Sequence, residues 1–274
     1  MTAMTGFDAW IGRSDQSTDR LRPEVLERLG ATLGRGFTAP PPLVHWLLFQ
    51  DWQPPDAIGP DGHPARGGFL PPVTHLPRRM WAGGAVRFHA PLPIDAPLTR
   101  TRSIRAIEAK RGGTGELVFV TVEHAIAGPD GPVLTERQDI VYRAAEGAAL
   151  RPADPAPAWA DARRAEVLPD AVLLFRYSAL TGNGHRIHYD HLYAVAEEGY
   201  PGLVVHGPLQ ATWLALLAEE AAGRPLASFS FRGRRAAIGG QTLTLLARAE
   251  DQRWLLETRD AAGCTCLAAE AAAA

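Results

Sequence analysis

Gly207-Pro208-Leu209-Gln210-Ala211-Thr212-Trp213-Leu214-Ala215-Leu216-Leu217-Ala218-Glu219-Glu220-Ala221-Ala222-Gly223 is the stretch on which the fold turns. Glycine and proline stand where a cap and a first helical residue belong, because the N–H that proline lacks has no partner in the first turn anyway. Leu209, Thr212, Trp213, Leu216, Leu217 and Ala221 then keep helical spacing until Gly223 and Pro225 stop it. The spacing predicts a buried helix of about four turns. Alternating runs at 228–232, 241–250, 253–259 and 264–269 follow and read as strands. A helix followed by strands long enough to cover it makes an α+β unit.

The same order runs through the first half. Alternating segments lie at 85–89, 98–108, 116–127 and 133–143, and the breaks at Gly112-Gly113 and Pro129-Asp130-Gly131 suit tight turns between antiparallel strands. Val86-Arg87-Phe88-His89-Ala90 and Phe229-Ser230-Phe231-Arg232-Gly233 hold equivalent places. Leu43-Val44-His45-Trp46-Leu47-Leu48-Phe49, after Pro40-Pro41-Pro42, is the shorter counterpart of the helix. Between the halves, alternation gives way to Ala, Pro and charge. The expectation is a duplicated unit, with repeats over 1–145 and 170–274 and a linker over 146–169.

The 274 residues suffice for two small cores, and 46% hydrophobic with 21% charged residues is a globular composition. A net charge of -2 gives no general drive toward nucleic acid or anionic membranes. No apolar run reaches the roughly twenty residues of a membrane helix, and no secretory signal opens the chain, so a cytoplasmic location is expected. Cys264 and Cys266 support neither a disulfide framework nor a zinc quartet and read as small apolar residues of the last strand. The absence of a Gly-x-Gly-x-x-Gly after a strand and the scattered His argue against nucleotide cofactors and metal.

Upstream of the helix runs Tyr177-Ser178-Ala179-Leu180-Thr181-Gly182-Asn183-Gly184-His185-Arg186-Ile187-His188-Tyr189-Asp190, with Val205-His206-Gly207-Pro208 further on. This resembles the active-site segment of the MaoC-like, R-specific enoyl-thioester hydratases, whose loop reads Ser/Thr-Gly-Asp-x-Asn-Pro-hydrophobe-His after an aromatic residue. Thr181 and Gly182 match, Asn183 replaces the catalytic Asp, and His188 takes the place of the catalytic His. The Asn variant is similar to a sub-branch containing mesaconyl- and itaconyl-CoA hydratases and mitochondrial-type 3-hydroxyacyl-thioester dehydratases. Resemblance implies a double hot-dog fold: two repeats, each an antiparallel sheet wrapped around a central helix.

It also implies reversible addition of water to a 2-enoyl thioester, which needs a proton carrier and stabilisation of charge on the thioester oxygen. His188 suits the first task, since imidazole can act as base and acid in turn. Asn183 cannot exchange a proton, but its amide can hold a water by donating and accepting. Gly207, at a helix start, admits close approach to free N–H groups that favour negative charge; in the family this N–H polarises the thioester carbonyl. Asp190 precedes a short helix and reads first as its N-cap, with a second proton-transfer role as the rival. His185 and His206 are candidates for supporting the site. Arg232 and Arg234, beside Arg235, could meet the phosphates of coenzyme A, and Arg176, Arg186 or Arg79 could meet a free substrate carboxylate. The stretch from Gly67 to Val73 and that from Arg78 to Gly84 resemble the same sub-branch and are expected to build the acyl pocket or cover the substrate.

The leading expectation is a hydratase of a short enoyl-CoA such as mesaconyl- or itaconyl-CoA, giving citramalyl-CoA, without a cofactor beyond the coenzyme A of the substrate. A 3-hydroxyacyl-thioester dehydratase of fatty-acid synthesis, a thioesterase and a non-catalytic acyl-thioester-binding partner subunit are the alternatives. The carrier could be coenzyme A or an acyl-carrier protein, and a two-repeat monomer or a homodimer is compatible with the duplication.

Overall fold

In the computed structural model, which describes residues 6–112, 115–145 and 153–274, ten strands form one antiparallel sheet. They are β1 Ser14–Asp19, β2 Arg78–Phe88, β3 Leu98–Gly112, β4 Gly115–Gly128, β5 Gly131–Arg143, β6 Arg163–Val167, β7 Leu226–Gly233, β8 Leu243–Glu250, β9 Arg253–Arg259 and β10 Thr265–Ala273. Across the sheet the order is β1-β3-β4-β5-β2-β7-β10-β9-β8-β6. Read outward from the β2/β7 seam, both halves follow one plan, each strand of the first matched by the strand five places later. The fold is the α+β double hot-dog. At the seam, Gly83 pairs with Arg232 and Arg87 with Ser228. Glycine is needed there because a Cβ on Gly83 would lie 2.5 Å from Phe231 O.

Helix α4, Gly207–Ala222, lies against β7, β8, β9 and β10. Every residue from 209 to 218 is buried; the run is mostly apolar, and its polar members Gln210 and Thr212 are hydrogen-bonded, Gln210 Oε1 accepting from Thr258 Oγ1 (2.6 Å). Gly223, at φ 67°, ends it in the left-handed conformation that glycine adopts without a steric penalty.

The first half departs from the expected plan, because among the described residues no matching central helix fills its sheet. Residues 43–49 make only a single 3-10 turn, Val44–Leu47, bracketed by Leu43 and Phe49 at positive φ (66° and 56°). Three prolines before it and a Pro-Pro pair soon after leave too short a segment to nucleate an α-helix. Side-chain bonds hold the turn instead: Trp46 Nε1 donates to Glu136 Oε1 (2.7 Å), and the Phe49 N–H donates to Asp19 Oδ2 (2.7 Å). Leu48 and Phe49 join the main core beside Leu98, Ile126 and Leu134.

Other elements were not legible as such. Helix α1, Pro23–Leu33, packs against α2, Ala171–Thr181; Asp170 caps α2 by accepting from the Leu173 N–H (2.8 Å). The linker expected over 146–169 contains β6, which pairs with β8 and supplies the edge equivalent to β1; residues 146–152 lie outside the described residues. Cys264 and Cys266 are free and buried, and burial raises the Cys266 thiol to about 12.

Candidate active site

The loop after α2 is built by local hydrogen bonds. Gly182 takes φ 60° to end the helix, the Asn183 N–H donates to Ser178 O (2.9 Å), and Thr181 Oγ1 donates to Tyr177 O (2.8 Å). Asn183 Oδ1 then accepts from the His185 N–H (3.0 Å), fixing the amide and leaving its NH₂ as the donor for another partner. A 3-10 turn, Arg186–His188, follows. A loop of the first half clamps this segment, with the Arg186 N–H donating to Asp61 O (2.9 Å). Gly62 sits at φ 88° against Gly184, so closely that a Cβ on it would overlap the Gly184 carbonyl.

His188 is 7% exposed, and its Nδ1 donates to Val204 O (2.7 Å). A carbonyl can only accept, so Nδ1 carries the proton and Nε2 keeps the lone pair. Burial, which outweighs the Val204 bond and is reinforced by His63, lowers its pKa to about 4, so the ring is a neutral base at physiological pH. His206 stacks on it, with ring centroids 3.7 Å apart and planes inclined by 21°. His206 is fully buried and held well below the usual imidazole range by burial and by its His neighbours; its Nε2 shares a hydrogen bond with Ser178 Oγ (2.8 Å). His185 meets His188 edge-on at 5.5 Å and His63 at 4.2 Å. His185 is lowered to about 2 by burial, then by His63 and His188.

Asp61 and His63, both supplied by the first half, complete this row with a bond between Asp61 Oδ2 and His63 Nδ1 (3.0 Å). Burial pushes the Asp61 carboxyl up, but the bond and charge of His63 outweigh it and leave it below its usual range. One donor atom each from Asp61, His63 and His185 falls within 4.8 Å of the others, a ligand set for a transition-metal ion in chemistry. In this row Asp61 and His63 are hydrogen-bonded, and His63, His185 and His188 then meet through their rings, leading from a carboxylate toward His188.

Gly207 opens α4, and nothing lies within 4 Å of where its Cβ would stand. Asp190 caps α3, His191–Ala196, by accepting from the Tyr193 N–H (3.0 Å), and pairs with Arg186 at 2.7 Å. The capping reading of Asp190 therefore has a geometric basis. Of the expected cations, Arg186 is spent on Asp190 and Pro60 O, and Arg176 lines a surface groove between α1 and α2 near Ala31 O. Arg79 donates to Pro64 O (3.3 Å). Arg232 and Arg234 are exposed near the end of β7, Arg232 on the face opposite the buried Phe231.

The cavity beside the loop measures about 160 Å³. Its wall from the second half includes Tyr177, Thr181, Asn183 and Pro208, and His188 is not part of the lining. Trp46, Phe49, Trp81, Arg100, His124 and Glu136 line it from the first half. Of the two stretches expected to shape the pocket, Trp81 does line it, whereas Phe69, Leu70 and Val73 pack into a separate apolar cluster. Glu136 is held to about 2: burial opposes this, but the charge and bond of His45 (3.3 Å), His124 and the Trp46 donor prevail.

Arg100, His124 and Glu136 were missed in the sequence, although one signal was there. On β4 the inward positions run Val118, Val120, Val122, His124, Ile126, so a polar residue interrupts an otherwise apolar face.

Residues 43–238 match the family model described as hydroxyacyl-thioester dehydratase type 2. Over 269 residues, 95% of each chain, the protein is 45% identical to the mesaconyl-C(4)-CoA hydratase of Chloroflexus aurantiacus. It is 26% identical to the mitochondrial hydroxyacyl-thioester dehydratase type 2 of Schizosaccharomyces pombe over 211 residues, 66% of this chain and 67% of that one. The crystal structure of a MaoC-like dehydratase from Phytophthora capsici superimposes with a TM-score of 0.71 at 14% identity, covering 96% of both chains. A matched segment spanning most of the chain, together with near full-length identity to a hydratase, places this protein in the hydroxyacyl-thioester dehydratase type 2 family of hydro-lyases.

Proposed function

We propose that the chain hydrates mesaconyl-C(4)-CoA, or a short branched enoyl-CoA closely similar to it, to citramalyl-CoA. The observation that carries this reading is 45% identity along nearly the whole length of a mesaconyl-C(4)-CoA hydratase. The cavity supports it: about 160 Å³ is close to the roughly 150 Å³ that admits a benzene-sized guest, which suits a compact acyl group better than a fatty chain.

In this reading the Asn183 NH₂ holds the water, whose proton passes to His188 Nε2 as its oxygen bonds to the β-carbon. The C=C electron pair shifts toward the thioester, and the enolate oxygen is stabilised by the Gly207 N–H at the positive end of α4. His188, an imidazolium of low pKa, then returns the proton to the α-carbon, so one water is consumed and the base is regenerated. Arg232 and Arg234 meet phosphates of coenzyme A, and no resident cofactor is required. His185 and His206 hold the His188 ring in place. The working unit comprises repeats 1–145 and 170–274 with the connection 146–169, in the cytoplasm, as a monomer or homodimer.

The test is loss of the conjugated thioester absorbance with purified protein and crotonyl-, mesaconyl-C(4)- and itaconyl-CoA, alongside His188→Ala. Turnover of the mesaconyl thioester that vanishes in the variant supports the reading. Preference for a long 3-hydroxyacyl chain on a carrier protein would favour the dehydratase of fatty-acid synthesis, and binding without turnover would favour a partner subunit.

A further inference from the structure

We infer that Arg100, with His124 beside it, binds the free carboxylate of the substrate and so selects a dicarboxylic acyl group. This rests on the hydratase reading above but concerns a different wall of the cavity. Arg100 stands on β3 opposite Ile126 of β4, in the row next to the one formed by Arg102, His124 and Glu136. Its guanidinium lies over the Phe49 ring at 5.0 Å, and Arg100, His124 and Phe49 all line the cavity.

What distinguishes Arg100 is the lack of a committed anion. Asp15 and Asp51 face Arg102 at 2.7 and 3.8 Å. Glu136, the carboxylate of the same wall, is engaged by Trp46 at one oxygen and His45 at the other. No ion pair to Arg100 forms among the described residues, and its Nε is buried without a partner there. His124 Nε2 is buried and unpartnered as well. A guanidinium cannot escape this cost by losing its proton; Asp15, Glu136 and Asp51 act on it only from beyond ion-pair distance, and an incoming anion in the cavity can pair with it directly.

The chemistry of the proposed substrate fits this placement. In mesaconyl-C(4)-CoA the free carboxylate is carried by the β-carbon, the atom that water attacks. An anion site in the cavity wall facing Asn183 would therefore orient that carbon toward the held water. A planar guanidinium with a neighbouring imidazole N–H offers several donors to the two carboxylate oxygens.

The experiment compares mesaconyl-C(4)-CoA with 3-methylcrotonyl-CoA, which replaces the carboxylate by a methyl group, in wild type, Arg100→Gln and Arg100→Lys. The ratio of the two kcat/KM values should fall by about 10- to 100-fold in Arg100→Gln, as for loss of a charged hydrogen bond, and recover in part in Arg100→Lys. Thermal stabilisation by each thioester is measured in parallel in the His188→Ala background, where selectivity is read without turnover. Preferential stabilisation by the mesaconyl thioester that disappears with Arg100→Gln upholds the inference even if hydration fails. An unchanged ratio, or equal stabilisation by both thioesters in the presence of Arg100, overturns it. Should Arg100→Gln not fold, the same comparison with Arg100→Lys decides, because a point charge without the planar fork must still shift the ratio.

Discussion

Lowering the pH to about 5.5 should scarcely slow this enzyme, although the base proposed for it is a histidine. An imidazole at its ordinary value of ~6.5 is only about 9% neutral at that pH, and a reaction needing the neutral ring would lose about tenfold. His188 is placed otherwise: burial, with the His206 ring stacked on it, outweighs the Val204 bond and, with the nearby His63, lowers it to about 4. At about pH 5.5 it is then roughly 97% neutral, and only below about pH 4 does protonation remove the Nε2 lone pair. The direction follows from the role, since the base works deprotonated and a lowered pKa extends that form toward acid. The assay is kcat/KM for mesaconyl-C(4)-CoA from about pH 4.5 to 8, where the substrate carboxylate (~4.3 for an ordinary carboxylic acid) stays largely ionised over the decisive range. His188→Ala, measured alongside at neutral pH, should lower kcat by about a hundred- to ten-thousand-fold. An acid limb centred near 6.5, or substantial turnover in His188→Ala, would refute the assignment of His188 as a buried neutral base.

Gly62→Ala should destabilise the protein by at least ~2 kcal/mol, because the new Cβ overlaps the Gly184 carbonyl and the residue keeps φ 88°; chemical denaturation measures the loss, and an unchanged midpoint would contradict the clamp between the loops. Asn183→Ala should lower kcat about tenfold or more, since the acceptor of the His185 N–H and the donor proposed for the water go together; a change confined to KM would show that Asn183 only helps to bind the thioester.

The parts of this fold that could be read from sequence are those where one strong period dominates. Residues 209–218 are mostly apolar and buried on every side, and the helix ends at Gly223, so α4 was visible with its boundaries. The long alternating strands of the first half were visible for the same reason, since Val118, Val120 and Val122 face one way. Helix α2 was obscured because Ala-Val-Leu-Leu-Phe-Arg-Tyr-Ser-Ala-Leu-Thr scatters apolar residues around the axis, and Val172 and Phe175 remain exposed. Strand β1 has no apolar residue at all; its six polar residues are held by pairing with β3. At the site, the Asn183 to His188 motif is contiguous and legible, whereas Asp61, His63, Arg100 and Glu136 reach it only through tertiary structure. Nothing local marks Arg100 as different from the other arginines; its distinction is that neighbouring carboxylates already serve Arg102, His45 and Trp46.

The seam between β2 and β7 carries a consequence for how such a site can change. Both five-strand halves belong to one polypeptide, and they meet through backbone pairing at Gly83 to Arg87. In an assembly of two identical subunits every substitution is made twice, so enlarging a pocket on one side would also hollow out the helix-bearing side. Here a substitution in β3 or β4 is made once and is not repeated in the half that carries α4. The helix can stay rigid behind the chemistry while the facing half remains free to trade filling for selectivity, with tethering in one chain keeping the two at a fixed one-to-one ratio at any dilution.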